Sequence, residues 1–520
     1  MAQSERSSLA RGLIRVSLVI SALIFLAWLP ANLAMPLARD QGIFAFVGQA
    51  ILDGGLPYID AWEHKGPATH ALYAIGMGLF GSTALGIRLF DVALTIAMAT
   101  GTWALGRASG RPLWGLLTGF FVWIAVGGKF WHTAQVENWL AYAYLLSMLA
   151  LWLEPTRTSR VALAAVGAVL AIGTLIKPNF VLMAPMVLVA CGWRWRDLAW
   201  VAGGGAAVIG ATFAVFAAAG GLGALWDAVV VFNLGSHVTR GTWSVSRVLN
   251  LLIEPFAWPD ENVPAIWVLE ALALIGASLM WRSDRRGFWI LTSGAICGWL
   301  TGISQVKGFY YHSMTMYAVF AAFAAEAVSR ALRDDGRDLR TLLREGFVAF
   351  VLVVLLVVMQ PLYSAVNWWQ HTLGRKSAAE YERPFCEEQR ELGFCHRELA
   401  AAARFVRDST APHELMYLWG MDALMHLEAR RRSPTRFGFH YAIVGSSGSY
   451  AASKKAEVMA ALAARPPAAI VVQELDRSNI TPLTAREALA DFPALQGLIE
   501  RDYRQAFANS NFTVYLRRGP

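Results

Sequence analysis

The stretch from residue 39 to residue 70 collects acidic and basic side chains directly after an apolar segment. It reads RDQGIFAFVGQAILDGGLPYIDAWEHKGPATH and contains Asp40, Glu63, His64 and Lys65. A carboxylate can accept the proton of a hydroxyl group, and a lysine or histidine can neutralise an anion such as a phosphate. A connector that only has to remain in water needs none of these groups, so the stretch predicts a reactive site.

Three further polar motifs interrupt the apolar sequence. They are GKFWHTAQVENW with Glu137, LIKPNF with Lys177, and SQVKGFYYHSM with Lys307, Tyr310, Tyr311 and His312. Ionisable groups at a membrane boundary are costly and usually face a cavity or one another. Carboxylates beside aromatic rings suit a sugar, and lysine with histidine suits phosphate, so one shared site for a sugar attached to a phosphate is predicted. Anchoring at the lipid interface is the alternative for Lys177, Tyr310 and Tyr311.

The composition indicates what must position these motifs. The chain has 520 residues, of which 56% are hydrophobic and only 16% charged, and its mean hydropathy is +0.43. Apolar windows of about 16 to 22 residues recur along the first 362 positions, which is the length that a membrane-crossing helix needs. The sequence therefore predicts an α-helical polytopic membrane protein.

The arginines indicate the topology and explain the net charge of +8. They cluster at every second predicted connection. These arginines are Arg6, Arg11, Arg15, Arg107, Arg111, Arg157, Arg160, Arg194, Arg196, Arg282, Arg285, Arg286 and five arginines from Arg330 to Arg344. Basic residues mark cytoplasmic loops, so the charge orients the protein and indicates no nucleic-acid partner. The pattern predicts eleven crossings, at about 13–35, 71–106, 112–127, 138–153, 161–176, 178–193, 197–219, 262–281, 287–304, 310–328 and 346–362.

The residues after the last crossing have the composition of a soluble domain. LMYLWG, AAIVVQE and NFTVYLRR predict strands, and AEVMAALAAR and TAREALADFPALQGLIERD predict helices. We therefore expect a transmembrane domain over 1–362, with a first outer loop at 36–70, and a small α/β domain over 363–520 on the outer side of the membrane.

The cysteines agree with an outer location of this C-terminal region. Cys386 and Cys395 are separated by eight residues, and a disulfide between them suits an oxidising compartment. A pair of reduced thiols is the alternative. A zinc site with His396 is disfavoured because no second His or Cys pair stands at ligand spacing.

The motifs taken together resemble a known family. The run DQGIFAFVGQAILDGGLPYIDAWEHKGPATHALYAIGMGLFG, followed by IRLFDV, QVENW and KGFYYH, looks like the bacterial GT-C glycosyltransferase superfamily. More narrowly, it is similar to the family 39 or RgtA/B/C/D-like group, which is related to protein O-mannosyltransferases and lipid A aminoarabinose transferases. The resemblance covers the whole membrane domain, and an outer α/β domain is common in this group.

The resemblance implies an activity and roles for individual residues. It implies transfer of a sugar, with inversion, from a polyprenyl phosphate donor to a lipid, glycan or protein acceptor at the periplasmic face of the bacterial inner membrane. Asp40 occupies the place of the catalytic aspartate, and Lys65 with Lys307 or His312 would bind the donor phosphate. Glu63, His64, Glu137, Tyr310 and Tyr311 would support the site or bind substrate. Gln41 stands where many relatives have a glutamate.

Other readings of the same residues remain open. Asp40 could be the N-cap of a helix over QGIFAFVGQAIL, and Asp53 with Gly54 and Gly55 predicts a turn that ends this helix. The fold also suits a transporter or flippase of a lipid-linked sugar, or an O-antigen ligase or polymerase. We expect no obligatory metal, although Asp40, Glu63 and Glu137 could hold a divalent cation. The sugar, the acceptor and the oligomeric state are not indicated by the sequence.

Overall fold

The computed structural model describes residues 2–126, 130–153, 159–237, 244–257, 265–305, 307, 309–333, 338–386, 393–477 and 483–519. Two arginines of the predicted inner connections, Arg157 and Arg337, lie outside these ranges. Most of the described chain is helical, and each predicted crossing contains at least one helix. The structure therefore has the helical architecture that the hydropathy predicts.

The helices α1 to α16 are Ala2–Ala34, Arg39–Leu52, Pro67–Phe80, Ala84–Ala108, Pro112–Val126, Val136–Trp152, Arg160–Ile176, Ala184–Cys191, Trp195–Ala218, Leu222–Trp226, Val245–Ala257, Ala265–Ser283, Arg285–Ile303, Met314–Arg333, Leu339–Val358 and Gln360–Thr372. Short 3₁₀ segments precede α8 and α14, at Pro178–Met183 and Tyr310–Ser313. Two π-helical turns follow α10, at Asp227–Val231 and Asn233–His237.

Helices α17 to α23 belong to the C-terminal region. They are Ala378–Glu382, His396–Ser409, Leu424–Ala429, Tyr441–Val444, Gly448–Ala464, Ala485–Leu489 and Pro493–Asp502. The strands β1 to β4 are Met416–Trp419, Ala469–Gln473, Tyr503–Ala508 and Phe512–Arg517.

The described residues contain five helical stretches that are long and apolar enough to span a membrane. These are Ser8–Ala34, Ala84–Ala108, Trp195–Ala218, Ala265–Ser283 and Leu339–Thr372. Several shorter apolar helices accompany them, so the chain is a multi-pass membrane protein. The number of eleven crossings stays a prediction.

One predicted crossing is corrected by the structure. A single helix over residues 71–106 would be roughly 54 Å long at about 1.5 Å per residue, whereas the hydrocarbon core is about 30 Å thick. The structure divides this range into α3 and α4. Gly81 follows α3 with a φ of 96°, a conformation that glycine adopts without a steric penalty. Only α4 of this pair is long enough to span a membrane.

Clustering by contacts divides the chain into two compact units. The first unit comprises Met1–Ala34, Asp91–Thr212 and Trp243–Gln370. In it, α14 packs against α5, α6, α12 and α13, and α1 packs against α15. Gly276 shows how tight this packing is, because a Cβ atom at this position would lie 1.7 Å from the Phe323 carbonyl oxygen. Small residues at such crossings let membrane helices approach closely.

Polar side chains occupy both ends of the helices in this first unit. At one end, Glu326 near the C-terminus of α14 accepts hydrogen bonds from Arg111 and, at 2.6 Å, from Arg330. At the other end, Gln305 follows α13 and Glu137 begins α6. These helices therefore alternate in direction as the arginine pattern predicts, while the identity of the periplasmic end stays a prediction.

The second unit comprises Met35–Phe90, Phe213–Thr242 and His371–Pro520. In it, α2 packs against α3 and α19, and the sheet has the strand order β1-β2-β4-β3. The β1–β2 pair is parallel, whereas β4 is antiparallel to both β2 and β3. Every residue of β1 and β2 is buried, so the core of this unit lies around these two strands.

The predicted elements of the C-terminal region agree with the structure in three strands and one helix. The predicted helix TAREALADFPALQGLIERD is instead two helices, α22 and α23, which are separated at Phe492 and Pro493. Strand β3 was not predicted from the sequence. The predicted first loop lies in the same compact unit as the C-terminal residues, and the domain boundary at residue 362 stays a prediction.

Candidate functional site

Asp40 lies in the first turn of α2 in the second unit. The N-cap of this helix is Ala38, in an extended conformation, so the alternative of Asp40 as the N-cap is wrong. The backbone N–H of Ala38 donates to Oε1 of Gln41 over 2.6 Å, and Gln41 is fully buried. Gln41 therefore does what a glutamine at the third helical position does in a capping box, which leaves Asp40 free of a capping role.

Asp40 and Lys65 are brought together from opposite ends of the first loop. Lys65 Nζ lies 3.8 Å from Oδ2 of Asp40 and 4.1 Å from the centre of the Phe44 ring, one helical turn after Asp40. The Asp40 side chain is 31% exposed and that of Lys65 is 12% exposed. The pair therefore combines a carboxylate that a substrate can reach with a cation held against an aromatic face.

The backbone of Lys65 is fixed on both sides. The Tyr58 hydroxyl donates to the Lys65 carbonyl over 2.7 Å, and the Lys65 N–H donates to Oε2 of Glu63 over 2.6 Å. Tyr58 is fully buried and has a φ of 71°, which is strained for a bulky residue. This strain persists because the surrounding contacts hold Tyr58, and through it Lys65, in one conformation.

Glu63 lies at the centre of a buried Glu–His cluster. His64 Nδ1 lies 2.8 Å from one Glu63 carboxylate oxygen, and His70 Nε2 lies 3.5 Å from the other. Burial raises the pKa of Glu63, but the combined influence of His64, His70 and Lys65 lowers it below its usual range. Burial also lowers the pKa of His70 to about 4, despite the opposing influence of Glu63. Glu63 is thus ionised and His70 neutral at pH 7, and both are shielded from substrate.

The other two acidic residues of the first loop have structural roles. Asp53 caps the C-terminus of α2, and Gly54 follows with a φ of 87°, so the turn predicted from Asp-Gly-Gly is confirmed. Asp53 also lies 2.7 Å from Arg432. The Asp60 carboxylate accepts a hydrogen bond of 2.7 Å from the Leu56 N–H. Among the described carboxylates of this loop, Asp40 is thus the best suited to contact a substrate.

Glu137 and Lys177 form a second carboxylate–lysine pair, in the first unit. Lys177 Nζ lies 2.5 Å from Oε1 of Glu137 and donates to Oε1 of Gln305 over 2.6 Å. The Glu137 side chain is only 1% exposed. The Lys177 ammonium group thus compensates a buried carboxylate, and its alternative role as an interfacial anchor stays a prediction.

The aromatic motif at residues 309–312 also lies in the first unit. Tyr310 is buried, donates to the Ala125 carbonyl over 2.5 Å, and stacks on His132 with ring centres 4.6 Å apart. Tyr311 is partly exposed, stacks on Phe309 and lies 5.8 Å from Lys177 Nζ. Of the two tyrosines, Tyr311 is the one that a ligand can reach.

Lys307 and His312 complete the predicted phosphate contacts. Lys307 is half-buried between α13 and the 3₁₀ turn, and His312 is buried within that turn. His312 packs edge-on against Tyr311, with ring centres 4.7 Å apart. These two residues belong to the first unit, whereas Asp40 and Lys65 belong to the second.

Sequence reasoning missed several residues that shape these clusters. Tyr58 and His70 fix Lys65 and Glu63, and Asn233 in the π-helical turn donates to the His64 carbonyl over 2.8 Å. No spacing rule connects Asn233 with His64, because the contact spans 169 positions. For Lys177 the sequence did contain a signal, which is the Lys-Pro-Asn interruption of an apolar segment. A helix that ends there exposes backbone N–H and C=O groups that need hydrogen-bond partners.

Two further predictions concern cysteines and metals. Cys386 and Cys395 are joined by a disulfide, while Cys191 and Cys297 are free and buried. In the described ranges, no group of three or more His, Cys, Asp or Glu residues is arranged to hold a metal ion.

Comparison with solved structures identifies the fold. The chain is similar to ArnT from Cupriavidus metallidurans bound to undecaprenyl phosphate, with a TM-score of 0.55, 14% sequence identity, and coverage of 96% of this chain and 97% of that chain. The apo state of the same protein gives a TM-score of 0.53, 14% identity and 98% coverage of both chains.

A third match has a TM-score of 0.45, and a similarity this low supports no conclusion about the fold or the function. It is the oligosaccharyltransferase AglB from Archaeoglobus fulgidus in complex with an inhibitory peptide and a dolichol-phosphate, with 13% identity and coverage of 88% of this chain and 69% of that chain. No protein-family model and no curated protein sequence matches the chain. The likeness to the two ArnT structures shows that this chain, a multi-pass membrane protein, shares their fold, which agrees with the helical membrane part of the predicted fold class.

Proposed function

We propose that this protein is an inverting glycosyltransferase that moves a sugar from a polyprenyl phosphate donor to a lipid, glycan or protein acceptor. The observation that supports this most directly is the Asp40–Lys65 pair, with 3.8 Å between carboxylate and ammonium and an Asp40 side chain that is 31% exposed. The fold shared with an ArnT structure that contains undecaprenyl phosphate supports the donor class.

Asp40 acts as the general base in this proposal. The acceptor hydroxyl attacks the anomeric carbon, its proton passes to Asp40, and the bond between that carbon and the phosphate oxygen breaks. A new glycosidic bond forms on the opposite face, which inverts the anomeric centre. The polyprenyl phosphate leaves as a stable anion, so the reaction needs no general acid, in contrast to a glycosidase that requires two carboxyl groups.

Lys65 neutralises the departing phosphate. Its ammonium group lies 3.8 Å from the Asp40 carboxylate, and α3 begins two residues later at Pro67. The positive end of the α3 dipole therefore adds to the attraction for an anion. Glu63 and Tyr58 act through Lys65, because they hold its backbone and are themselves buried. His64 supports Glu63, from which its Nδ1 lies 2.8 Å.

The residues of the first unit keep roles that follow from their exposure. Within this unit we assign the half-buried Lys307 as a phosphate-binding cation and the partly exposed Tyr311 as a substrate-binding aromatic residue, whereas the predicted phosphate ligand His312 is buried and packs against Tyr311. Tyr310 and Glu137 are buried, and Tyr310 donates to the Ala125 carbonyl while Glu137 pairs with Lys177, so we assign them to the support of Tyr311 and Lys177 and not to contact with substrate. No step of this scheme requires a metal ion.

The proposed location is the bacterial inner membrane, with the reaction at its periplasmic face. The distribution of arginines supports this orientation. The Cys386–Cys395 disulfide supports an oxidising compartment for the C-terminal region.

A transfer assay with purified protein tests the proposal. The full-length protein in nanodiscs is incubated with radiolabelled polyprenyl phosphate sugars and a bacterial membrane extract, and labelled products are separated from the donor. We expect label to move to an acceptor in the extract, and Asp40→Asn to abolish this movement. Asp53→Asn is the matched control, because it changes a carboxylate at the other end of the same helix. Movement of the donor across vesicles without transfer would instead establish the flippase alternative.

Comparison of cell-envelope glycans and lipids by mass spectrometry, with and without the gene, would identify the acceptor. A glycan or lipid that loses one sugar residue in the absence of the gene is the expected result.

A further inference from the structure

Arg39, the residue before Asp40, is buried against the C-terminal region within the second unit. Its Nε donates to Oδ1 of Asp422 over 2.5 Å, although the two residues are 383 positions apart. Both side chains are more than nine-tenths buried. A buried guanidinium group without its carboxylate would be strongly destabilising, so formation of the site around α2 depends on Asp422.

Asp422 is itself held firmly by Gln473. Gln473 Nε2 donates to Oδ2 of Asp422 over 2.5 Å, and Oε1 of Gln473 accepts from the N–H groups of Met421 and Asp422 at 3.0 and 3.2 Å. Asp422 follows β1, and Gln473 is the last residue of β2. The carboxyl ends of the two parallel strands thus present a fixed carboxylate to Arg39.

The carbonyl oxygen of Gly393 is the second acceptor for Arg39. It receives hydrogen bonds from Arg39 at 3.3 Å, from Gln473 at 3.1 Å and from Asn511 at 3.3 Å. Gly393 has a φ of 63°, and a Cβ atom there would lie 1.4 Å from the Leu475 carbonyl oxygen. Only glycine fits this position, so the carbonyl group is placed by close contact with the end of β2.

The Cys386–Cys395 disulfide closes the chain around Gly393, which lies two residues before Cys395. It limits the conformations of the segment that supplies the Gly393 carbonyl. Because that carbonyl binds Arg39, and Arg39 precedes Asp40 at the start of α2, a covalent constraint in the C-terminal region extends to the proposed base through one hydrogen bond and one peptide link.

We propose that Arg39 and Asp422 are positioning residues for Asp40, and that the Cys386–Cys395 disulfide keeps this arrangement competent for transfer. The inference rests on the proposed role of Asp40 as the base. Reduction by dithiothreitol converts the disulfide to two thiols while the reagent becomes a cyclic disulfide. The reduced enzyme then has a misplaced base but an unchanged Lys65, so kcat falls while KM for the donor is retained.

Steady-state kinetics of the full-length protein in nanodiscs tests the catalytic part. After dithiothreitol treatment, kcat should fall by about tenfold or more, since misplacement of a catalytic group by about 1 Å can cost that much. KM for the polyprenyl phosphate sugar should stay within about twofold, and reoxidation should restore kcat. Cys191 and Cys297 are already free thiols, so dithiothreitol has no bond to reduce there. The Cys386→Ser/Cys395→Ser variant lacks the buried disulfide from the start, and it should show the reduced rate and no response to reductant.

Asp422→Asn should reproduce the low kcat with an unchanged donor KM. Glu487→Gln is the control, because it removes one carboxylate of an exposed pair with Arg477 in the same unit and should leave both constants unchanged. An equal kcat in the oxidised and reduced enzymes, with Asp422→Asn also unchanged, would overturn the inference while the proposed function stands.

Hydrogen–deuterium exchange provides a readout that does not depend on activity. Reduction should accelerate exchange of the amides in the first two turns of α2 and leave its last turn unchanged, and Asp422→Asn should do the same. This result would support the positioning role even if no sugar transfer were found. Unchanged exchange at the start of α2 would contradict it, whatever the kinetics show.

Discussion

Two of the carboxylate–lysine pairs in the described part of the chain, Asp40–Lys65 and Glu137–Lys177, have the same chemical groups but differ in distance and exposure. Lys65 and Lys177 are equally exposed at 12%. Lys65 lies 3.8 Å from an Asp40 side chain that is 31% exposed, whereas Lys177 lies 2.5 Å from a Glu137 side chain that is 1% exposed. Lys177 is also engaged by Gln305, while Lys65 packs on the Phe44 ring.

This difference indicates how a charged pair can be recognised as reactive or structural. Removal of one partner of a tight, buried pair strongly lowers the free energy of unfolding, and the charged groups of such a pair are not available to bind a ligand. A loose pair with a partly exposed carboxylate contributes little to stability but leaves that carboxylate accessible to a substrate. The first pattern describes Glu137 and Lys177, and the second describes Asp40 and Lys65.

The largest expected effect is loss of activity in Asp40→Asn. Removal of the base should lower kcat by roughly 10²- to 10⁴-fold, and the melting temperature should change little because the ion pair is partly exposed. Transfer assays and thermal unfolding in detergent measure the two quantities. A variant that retains the wild-type kcat would show that the open pair is no more reactive than the buried one.

The second prediction concerns stability at the buried pair. Lys177→Met leaves the Glu137 carboxylate buried without its cation, which should cost roughly 3 to 5 kcal/mol and clearly lower the melting temperature. Lys65→Met should lower the melting temperature much less and affect donor binding and turnover instead.

The Lys177→Met/Glu137→Gln double variant is the control for this prediction. It removes both charges, so most of the lost stability should return. A double variant as unstable as Lys177→Met would show that the cost arises from packing and not from the unpaired carboxylate.

The third prediction is a pH dependence of stability that originates around Lys65. His70 has a pKa of about 4 in the folded protein, against 6.5 for an ordinary histidine. Between these values the unfolded chain binds more protons, so the free energy of unfolding should fall by roughly 3 kcal/mol as pH decreases from about 6.5 to about 4. The lowered pKa of Glu63 adds a loss of the same sign below its usual value of 4.5.

Melting temperatures between pH 7 and pH 4 test this dependence. The wild-type protein should lose stability over this range, and His70→Gln should show a smaller slope between pH 6.5 and pH 4. An identical slope in the variant would place the acid sensitivity elsewhere in the molecule.

The smallest effect is expected at Gln41. Gln41→Ala removes the acceptor for the Ala38 N–H and should cost about 1 kcal/mol, as other lost helix caps do. Gln41→Glu retains an acceptor at the same position, and an acidic residue in the first turn is favoured by the helix dipole, so its melting temperature should lie closer to that of the wild type. Equal losses in the two variants would contradict the capping role.

The membrane helices were predictable because each one follows from the local sequence of its own segment. Apolar length and the arginine pattern identify most helices within a few residues, as in α5 at Pro112–Val126 against a predicted crossing at 112–127. The division between α3 and α4 was missed because only Gly81, Ser82 and Thr83 separate two apolar stretches. These residues add no charge, so hydropathy continues across the break.

The candidate site was predictable only in its local part. Asp40, Glu63 and Lys65 belong to one continuous motif, and the structure brings them together. The pairs Glu137–Lys177 and Arg39–Asp422 join residues that are far apart in the sequence, and such contacts depend on tertiary packing that no local pattern specifies. The capping role of Gln41 was missed because the glutamate that many relatives have at this position directs attention to catalysis and not to the helix cap.

The place where Arg39 binds has a consequence for exchanging parts between related enzymes. In α/β folds, the carboxyl ends of parallel strands are where small molecules usually bind, and here β1 and β2 present that edge to an arginine of the same polypeptide. The edge of the sheet thus binds the Arg39 side chain of the same polypeptide at the place where other α/β folds bind a small molecule. In a chimaera, the first loop of this protein should therefore be transplanted together with its own C-terminal region, which supplies Asp422.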